Sequence, residues 1–261
     1  MMPTQPTIRF SANLGFLWTG LSLPDAIRAA ARAGFDAVEC HFPYQTPASE
    51  VKRALKETGL PMLGLNTARG KVGENGLAAV PGQEGRARAA IDQAIAYAAA
   101  IGAGNVHVMA GIAEAADAMA TYRANLTYAC AAARPHGITI LIEALNPRDA
   151  PGYFLTRAEE ARRIIEDISL PNLRLMADCY HMQIMGGDLT RRLSALLPII
   201  GHIQIAGVPD RGEPDRGEVD YAHVLRHLAG LGWTAPIGAE YRPASTTDAG
   251  LGWLEKLRNP G

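Results

Sequence analysis

The chain has 261 residues, 48% of them hydrophobic and 20% charged, with a formal net charge of −1. That composition supports a large core and argues against a nucleic-acid binder, which carries a basic surplus. Three widely spaced cysteines, Cys40, Cys130 and Cys179, make neither a disulfide framework nor a zinc ribbon, and fit a reduced, cytoplasmic setting. The opening MMPTQPTIRF lacks the basic and apolar regions of a signal peptide. No apolar run approaches the length of a membrane span, so no membrane partner is expected.

Short apolar runs alternate with amphipathic ones from end to end. IRFSANL, 8–14, is the first strand, and Ser22 caps a helix that Gly34 ends. DAVECHF, 36–42, is the second strand, followed by the helix TPASEVKRALKETG, closed at Gly59. PMLGLNT, 61–67, is the third, and a Gly-rich loop leads to a long Ala-rich helix over about 82–101. NVHVMAG, 105–111, is the fourth strand, with a helix at about 115–135. ITILIEAL, 138–145, is the fifth. The next helix begins at a capping box of Thr156 and Glu159. LRLMADCYH, 173–181, GHIQIAG, 201–207, and APIGAEY, 235–241, are strands six to eight, each followed by a helical stretch.

Eight uninterrupted strand–helix units imply a parallel sheet closed as a (β/α)₈ TIM barrel, with residues 1–261 forming one domain. A doubly wound open sheet is the alternative, but the first strand–helix turn lacks G-x-G-x-x-G.

Active sites of such barrels lie at the C-terminal ends of the strands. Glu143, Asp178, Gln204 and Glu240 stand near the ends of strands five to eight, each after apolar residues: ILIE, LMAD, HIQ and IGAE. Side chains alternate faces along a strand. If this face is the interior, the four polar groups converge at the barrel mouth. Three carboxylates there repel one another, and a divalent cation resolves the conflict. Carboxylates plus an amide suit Mg²⁺ or Mn²⁺.

The D-C-Y-H-M-Q of strand six, the G-H-I-Q-I-A of strand seven and the G-A-E-Y-R-P of strand eight resemble the hydroxypyruvate isomerase family. So do R-F-S-A-N-L, V-E-C-H-F-P-Y and the loop R-G-E-P followed by G-E-V-D-Y. The wider group is the sugar isomerase and epimerase barrels, similar in turn to apurinic endonucleases. The resemblance implies an enzyme that moves a carbonyl between adjacent carbons of a small 2-oxo acid. It carries the metal-ligand roles onto Glu143, Asp178, Gln204 and Glu240. One departure is the loop L-N-T-A-R-G-K: Asn66 fits the family pattern, whereas Thr67, Ala68 and Arg69 do not. The related 2-oxo-tetronate isomerases, which act on a four-carbon homologue, also resemble this chain, and H-V-M-A-G is closer to them.

The expected reaction interconverts hydroxypyruvate and tartronate semialdehyde through an enediolate. Glu143 and Glu240 are the expected acid–base pair. His181 is expected to hydrogen-bond a substrate oxygen, with His107 a second candidate. Arg211 is expected to grip the substrate carboxylate, with Arg69 a rival. Glu39 is expected near the site or in an ion pair, and His202 lower in the barrel than Gln204. A homo-oligomer is compatible with the sequence. A three-zinc endonuclease is disfavoured because Asn66 and Gln204 stand where histidines would be needed. A non-catalytic barrel would leave the strand-end carboxylates dispensable.

Overall fold

The computed structural model describes residues 7–259, and the start of the N-terminal segment, through residue 6, lies outside them. The strands are β1 (Phe10–Asn13), β2 (Ala37–Glu39), β3 (Gly64–Asn66), β4 (Asn105–His107), β5 (Thr139–Glu143), β6 (Leu173–Asp178), β7 (Ile200–Ile205) and β8 (Ile237–Ala239). All their pairings are parallel, in the order β2-β1-β8-β7-β6-β5-β4-β3. A parallel bridge from Val38 to Met62 joins the two ends of that order, so the expected barrel is the observed fold.

The helices are α1 (Leu23–Arg32), α2 (Ala48–Thr58), α3 (Glu84–Ile101), α4 (Ala118–Ala133), α5 (Ala158–Ile168), α6 (Cys179–Gly186), α7 (Leu189–Leu196), α8 (Tyr221–Gly230) and α9 (Gly252–Arg258). Their apolar faces lie on the outward face of the sheet. In α5 these are Ala161, Ile164 and Ile165, spaced as a 3.6-residue period requires. Ser22 caps α1 by accepting the Asp25 main-chain N–H, as expected. Gly59 closes α2 in the left-handed region at φ 74°, which a residue without Cβ enters at little cost. Among the described residues, no helix is long and apolar enough to cross a membrane.

Two local expectations are overturned. The capping box at Thr156 and Glu159 does not form: α5 starts two residues later, Arg157 holds the cap position, and no side chain caps there. Glu159 is instead drawn across to α7, where it accepts from Arg192 Nε at 2.7 Å, a charge-assisted contact stronger than a neutral cap. Strand six also stops at Asp178 rather than continuing to residue 181. The Asp178 Oδ1 accepts the Tyr180 main-chain N–H at 2.8 Å and so starts α6. His181 therefore sits on a helix turn above the barrel, not within the strand.

The barrel interior is partly polar. Leu141, Met176 and His202, with Asn13, Glu39, Asn105 and Gln204, line a void of about 20 Å³. Cross-strand register sets the levels: Met176 lies beside His202, and Asp178 beside Gln204.

Candidate active site

Above that layer the barrel mouth opens into a chamber of about 300 Å³. Its walls include His107, Glu143, His181, Arg211 and Glu240, together with Asn66 and Arg69 from the end of β3 and the loop after it.

Glu143 ends β5 as a buried residue. Oε1 has no hydrogen-bond partner, while Oε2 lies 3.6 Å from His107 Nδ1. Burial pushes its pKa well above the usual carboxylate range, and the charges of Glu240 and Asp178 add to the effect. Burial likewise raises Asp178, to about 7, against the pull of Arg211. Glu240 lies one residue past β8. Burial opposes its ionisation, but Arg211 and His41 outweigh it and hold the carboxyl well below the usual range. Arg211 Nη2 donates to Glu240 Oε2 at 2.6 Å and to Asp178 Oδ2 at 3.1 Å. His41 Nε2 meets Glu240 Oε1 at 2.7 Å. That approach needs Gly15, where a Cβ would fall 2.1 Å from His41 Nδ1.

His181 is buried, and burial, reinforced by the positive Arg211, depresses its pKa to about 3, so the ring is neutral. Its Nδ1 accepts the Asn146 main-chain N–H at 3.0 Å. The ring proton is thus on Nε2, which points at Asp178 Oδ2 and Glu143 Oε1, at 3.5 and 3.8 Å. Glu143, Asp178 and His181 each offer an atom within 4.8 Å of the others. The tautomer makes His181 a donor at this cluster rather than a ligand. His107 is neutral as well, its pKa lowered to about 3 by burial, and neither ring nitrogen has a partner.

Gln204 faces the same interior from β7. Its Nε2 donates to Glu39 Oε1 at 2.7 Å, and its Oε1 is buried without a partner. Glu39 also accepts from Ser11 Oγ, Asn13 Nδ2 and His202 Nε2, at 2.7, 2.9 and 2.7 Å. Glu39 is therefore an ion-pair and hydrogen-bond hub one level down, and His202 lies beneath Gln204 as expected. Arg69 is at the rim, its guanidinium 5.3 Å from the Phe42 ring centre.

The donor set fits a hard divalent cation. Buried Glu143 and Asp178 offer carboxylate oxygens within 4.8 Å of each other, Arg211 ties Glu240 to Asp178, and Gln204, the register partner of Asp178, has an unpartnered amide oxygen. The hydrogen bond to Glu39 holds the Gln204 amide nitrogen away, which leaves the oxygen as the free end.

Residues 27–257 match the model of the xylose isomerase-like TIM barrel family. The chain belongs to that family. A 2-oxo-tetronate isomerase of Cupriavidus necator is 45% identical over 253 residues, covering 95% of this chain and 97% of its own. A Homo sapiens protein named "Putative hydroxypyruvate isomerase" is 40% identical over 260 residues, covering 95% and 94%. A crystal structure described as an AP endonuclease, family 2, from Brucella melitensis superposes with a TM-score of 0.92 at 39% identity, covering 95% and 98%. The resemblance read from the sequence holds over nearly the whole chain, and with it the isomerase class.

Sequence reasoning missed several groups that wall the chamber. Asp149 follows Asn146 in the loop after β5, where Asn146 Oδ1 accepts the main-chain N–H of both Arg148 and Asp149. An Asn three residues before an Asp is a turn signal that could have placed Asp149 there. Phe16 and Arg242 also line the chamber. No local pattern marks Phe16. Arg242 was within reach, because it follows Glu240 by two residues.

Proposed function

We propose that the protein is a metal-dependent isomerase that interconverts hydroxypyruvate and 2-hydroxy-3-oxopropanoate by proton transfer between adjacent carbons through an enediolate. The observation that carries the reading is the gathering of buried Glu143, Asp178 and Glu240, the first two within 4.8 Å and the last two bridged by Arg211, with Gln204 the register partner of Asp178. Those four residues would hold Mg²⁺ or Mn²⁺. When bound, such a cation supplies positive charge to the oxygen that becomes anionic during the reaction.

The remaining chemistry belongs to the side chains. One of Glu143 and Glu240, as the carboxylate, removes a proton from the hydroxyl-bearing carbon; the other, as the acid, delivers a proton to the former carbonyl carbon; and the hydroxyl proton passes to the former carbonyl oxygen. His181 Nε2–H donates to a substrate oxygen, in the tautomer fixed by Asn146. His107 offers a second ring nitrogen, and Asn66 an amide, at the same chamber wall. Arg211 was expected to grip the substrate carboxylate. Its Nη2 is turned inward to Glu240 and Asp178, where it holds both carboxylates in place. The three cysteines, all buried and unpaired, support a reduced cytoplasmic setting, and the substrate is the only partner the reading requires.

The four-carbon 2-oxo-tetronate is the second reading. It is favoured by the Cupriavidus necator relative and by a chamber larger than a three-carbon acid fills. Turnover of hydroxypyruvate and of 2-oxo-tetronate, each with added Mg²⁺ or Mn²⁺, tests both, with nicking of abasic duplex DNA as a third arm. We expect isomerisation and no nicking. Failure to isomerise either acid with either metal overturns the proposal.

A further inference from the structure

The lining of the chamber carries both signs of charge. Glu143, Asp149 and Glu240 are its acidic members. A substrate carboxylate placed by them would stand against three acidic groups, and the cation beside them, Arg211, is already shared between Glu240 and Asp178, with Asp149 3.8 Å away. Arg69 and Arg242 line the chamber too, and the Phe16 ring near Arg242 also lies 4.9 Å from the Arg211 guanidinium. The same two arginines, with Phe16, His41 and Phe42, also line a second chamber of about 520 Å³, so they stand where the two chambers meet.

Neither arginine forms an ion pair among the described residues. Each guanidinium instead rests near an aromatic ring: Arg69 is 5.3 Å from the centre of Phe42, and Arg242 is 5.8 Å from the centre of Phe16. Ring contact restricts a long side chain while leaving its N–H groups free to donate. The backbone also steadies Arg242, whose N–H donates to the Arg211 carbonyl at 2.7 Å. Two oriented, unpaired guanidinium groups facing one cavity are an anion site, and the planar fork matches a carboxylate bidentately.

We propose that Arg242 and Arg69 form the carboxylate-recognition site of the chamber. The 2-oxo acid is thereby oriented with its carboxylate toward the junction of the two chambers and its hydroxyl-ketone end toward Glu143 and Glu240. The inference rests on the small-acid reading above, and it replaces Arg211 with Arg242 as the specificity-determining arginine. The chamber beyond the junction leaves space past the carboxylate end, so selectivity comes from charge more than from closure.

The test is equilibrium binding, which does not depend on turnover. Erythronate, a four-carbon sugar acid with no carbonyl to isomerise, is titrated calorimetrically into the wild-type protein in a magnesium buffer. It is also titrated into Arg242→Met, into Arg69→Met and into the surface control Arg53→Met. We expect binding to weaken about tenfold or more in Arg242→Met and in Arg69→Met, and to stay at the wild-type level in Arg53→Met. Equal binding by the wild type and Arg242→Met overturns the inference, and so does absence of binding to the wild type. Loss of binding in both site variants, with no isomerisation of either 2-oxo acid by the wild type, upholds the anion site and overturns the substrate reading instead.

Discussion

Glu143 and Glu240 carry the same functional group in the same cavity, yet their surroundings drive them in opposite directions. Glu143 Oε1 has no partner, and burial with two acidic neighbours penalises its charge. Glu240 is gripped by Arg211 and His41. Replacing each by Gln should therefore have opposite effects on the metal-free protein. Glu143→Gln removes a buried carboxyl whose surroundings penalise ionisation and should raise the melting temperature. Glu240→Gln leaves Arg211 short of a partner, and breaking a buried pair of this kind costs about 3–5 kcal/mol. At roughly 2–4 °C per kcal/mol for a chain of this size, that is a large fall. Turnover should drop about 100-fold or more in both. Calorimetry in chelator, alongside the isomerase assay, checks this. A Glu143→Gln protein that melts below wild type would contradict the electrostatic account.

At the level of elements, glycines separate local from non-local demands. Gly59 ends α2 at φ 74° with nothing near its missing Cβ. Gly59→Ala should cost about 1–2 kcal/mol in stability and leave catalysis alone. Gly238 is different: a Cβ there would lie 2.7 Å from Glu39 Oε2 and 2.8 Å from Gln204 Cγ. Gly238→Ala should cost about 1–3 kcal/mol and also reduce turnover, because it displaces Gln204, a proposed metal ligand. Denaturant unfolding with parallel kinetics distinguishes the two.

The loop after β3 offers a pH test. Glu74 accepts from the Arg86 guanidinium and the Lys71 main-chain N–H, and these bonds pull its pKa from 4.5 to about 2. A folded-state pKa below the unfolded value gives stabilisation that is complete above pH 4.5 and is lost as pH falls through about 2. The Lys71 amide resonance should thus show no titration step between about pH 6 and 3.5. A step near 4.5 would mean that the loop is not pinned in this way.

For the whole molecule, the main electrostatic burden is the acidic mouth of the barrel. A ligand that binds only the folded state stabilises it by mass action, by about 2.7 kcal/mol at 100 times its Kd. Mg²⁺ or Mn²⁺ should therefore raise the melting temperature in a concentration-dependent way, and a chelator should reverse the rise. The effect should largely vanish in Asp178→Asn. A melting temperature indifferent to both cations would argue against the proposed donor set.

The barrel was legible because its signals are local. Alternating apolar runs, Ser22 and Gly59 each report on a few neighbouring residues, and a period of two is enough to put Glu143 with Leu141 and Gln204 with His202 on one face. The same locality explains the failures. Thr156 and Glu159 have the spacing of a capping box, but Arg192, 33 residues beyond Glu159, takes the carboxylate away. Asp178 ends its strand early because its own side chain caps the next helix. The residue types at the mouth were thus determined by the sequence alone. Which of them are paired was decided only by the tertiary structure: Arg211 turned onto Glu240, His41 admitted by Gly15, and Gln204 oriented by Glu39. Those contacts join residues 26 to 199 positions apart, and electrostatics at such separations depends on distance through space, which no local pattern encodes.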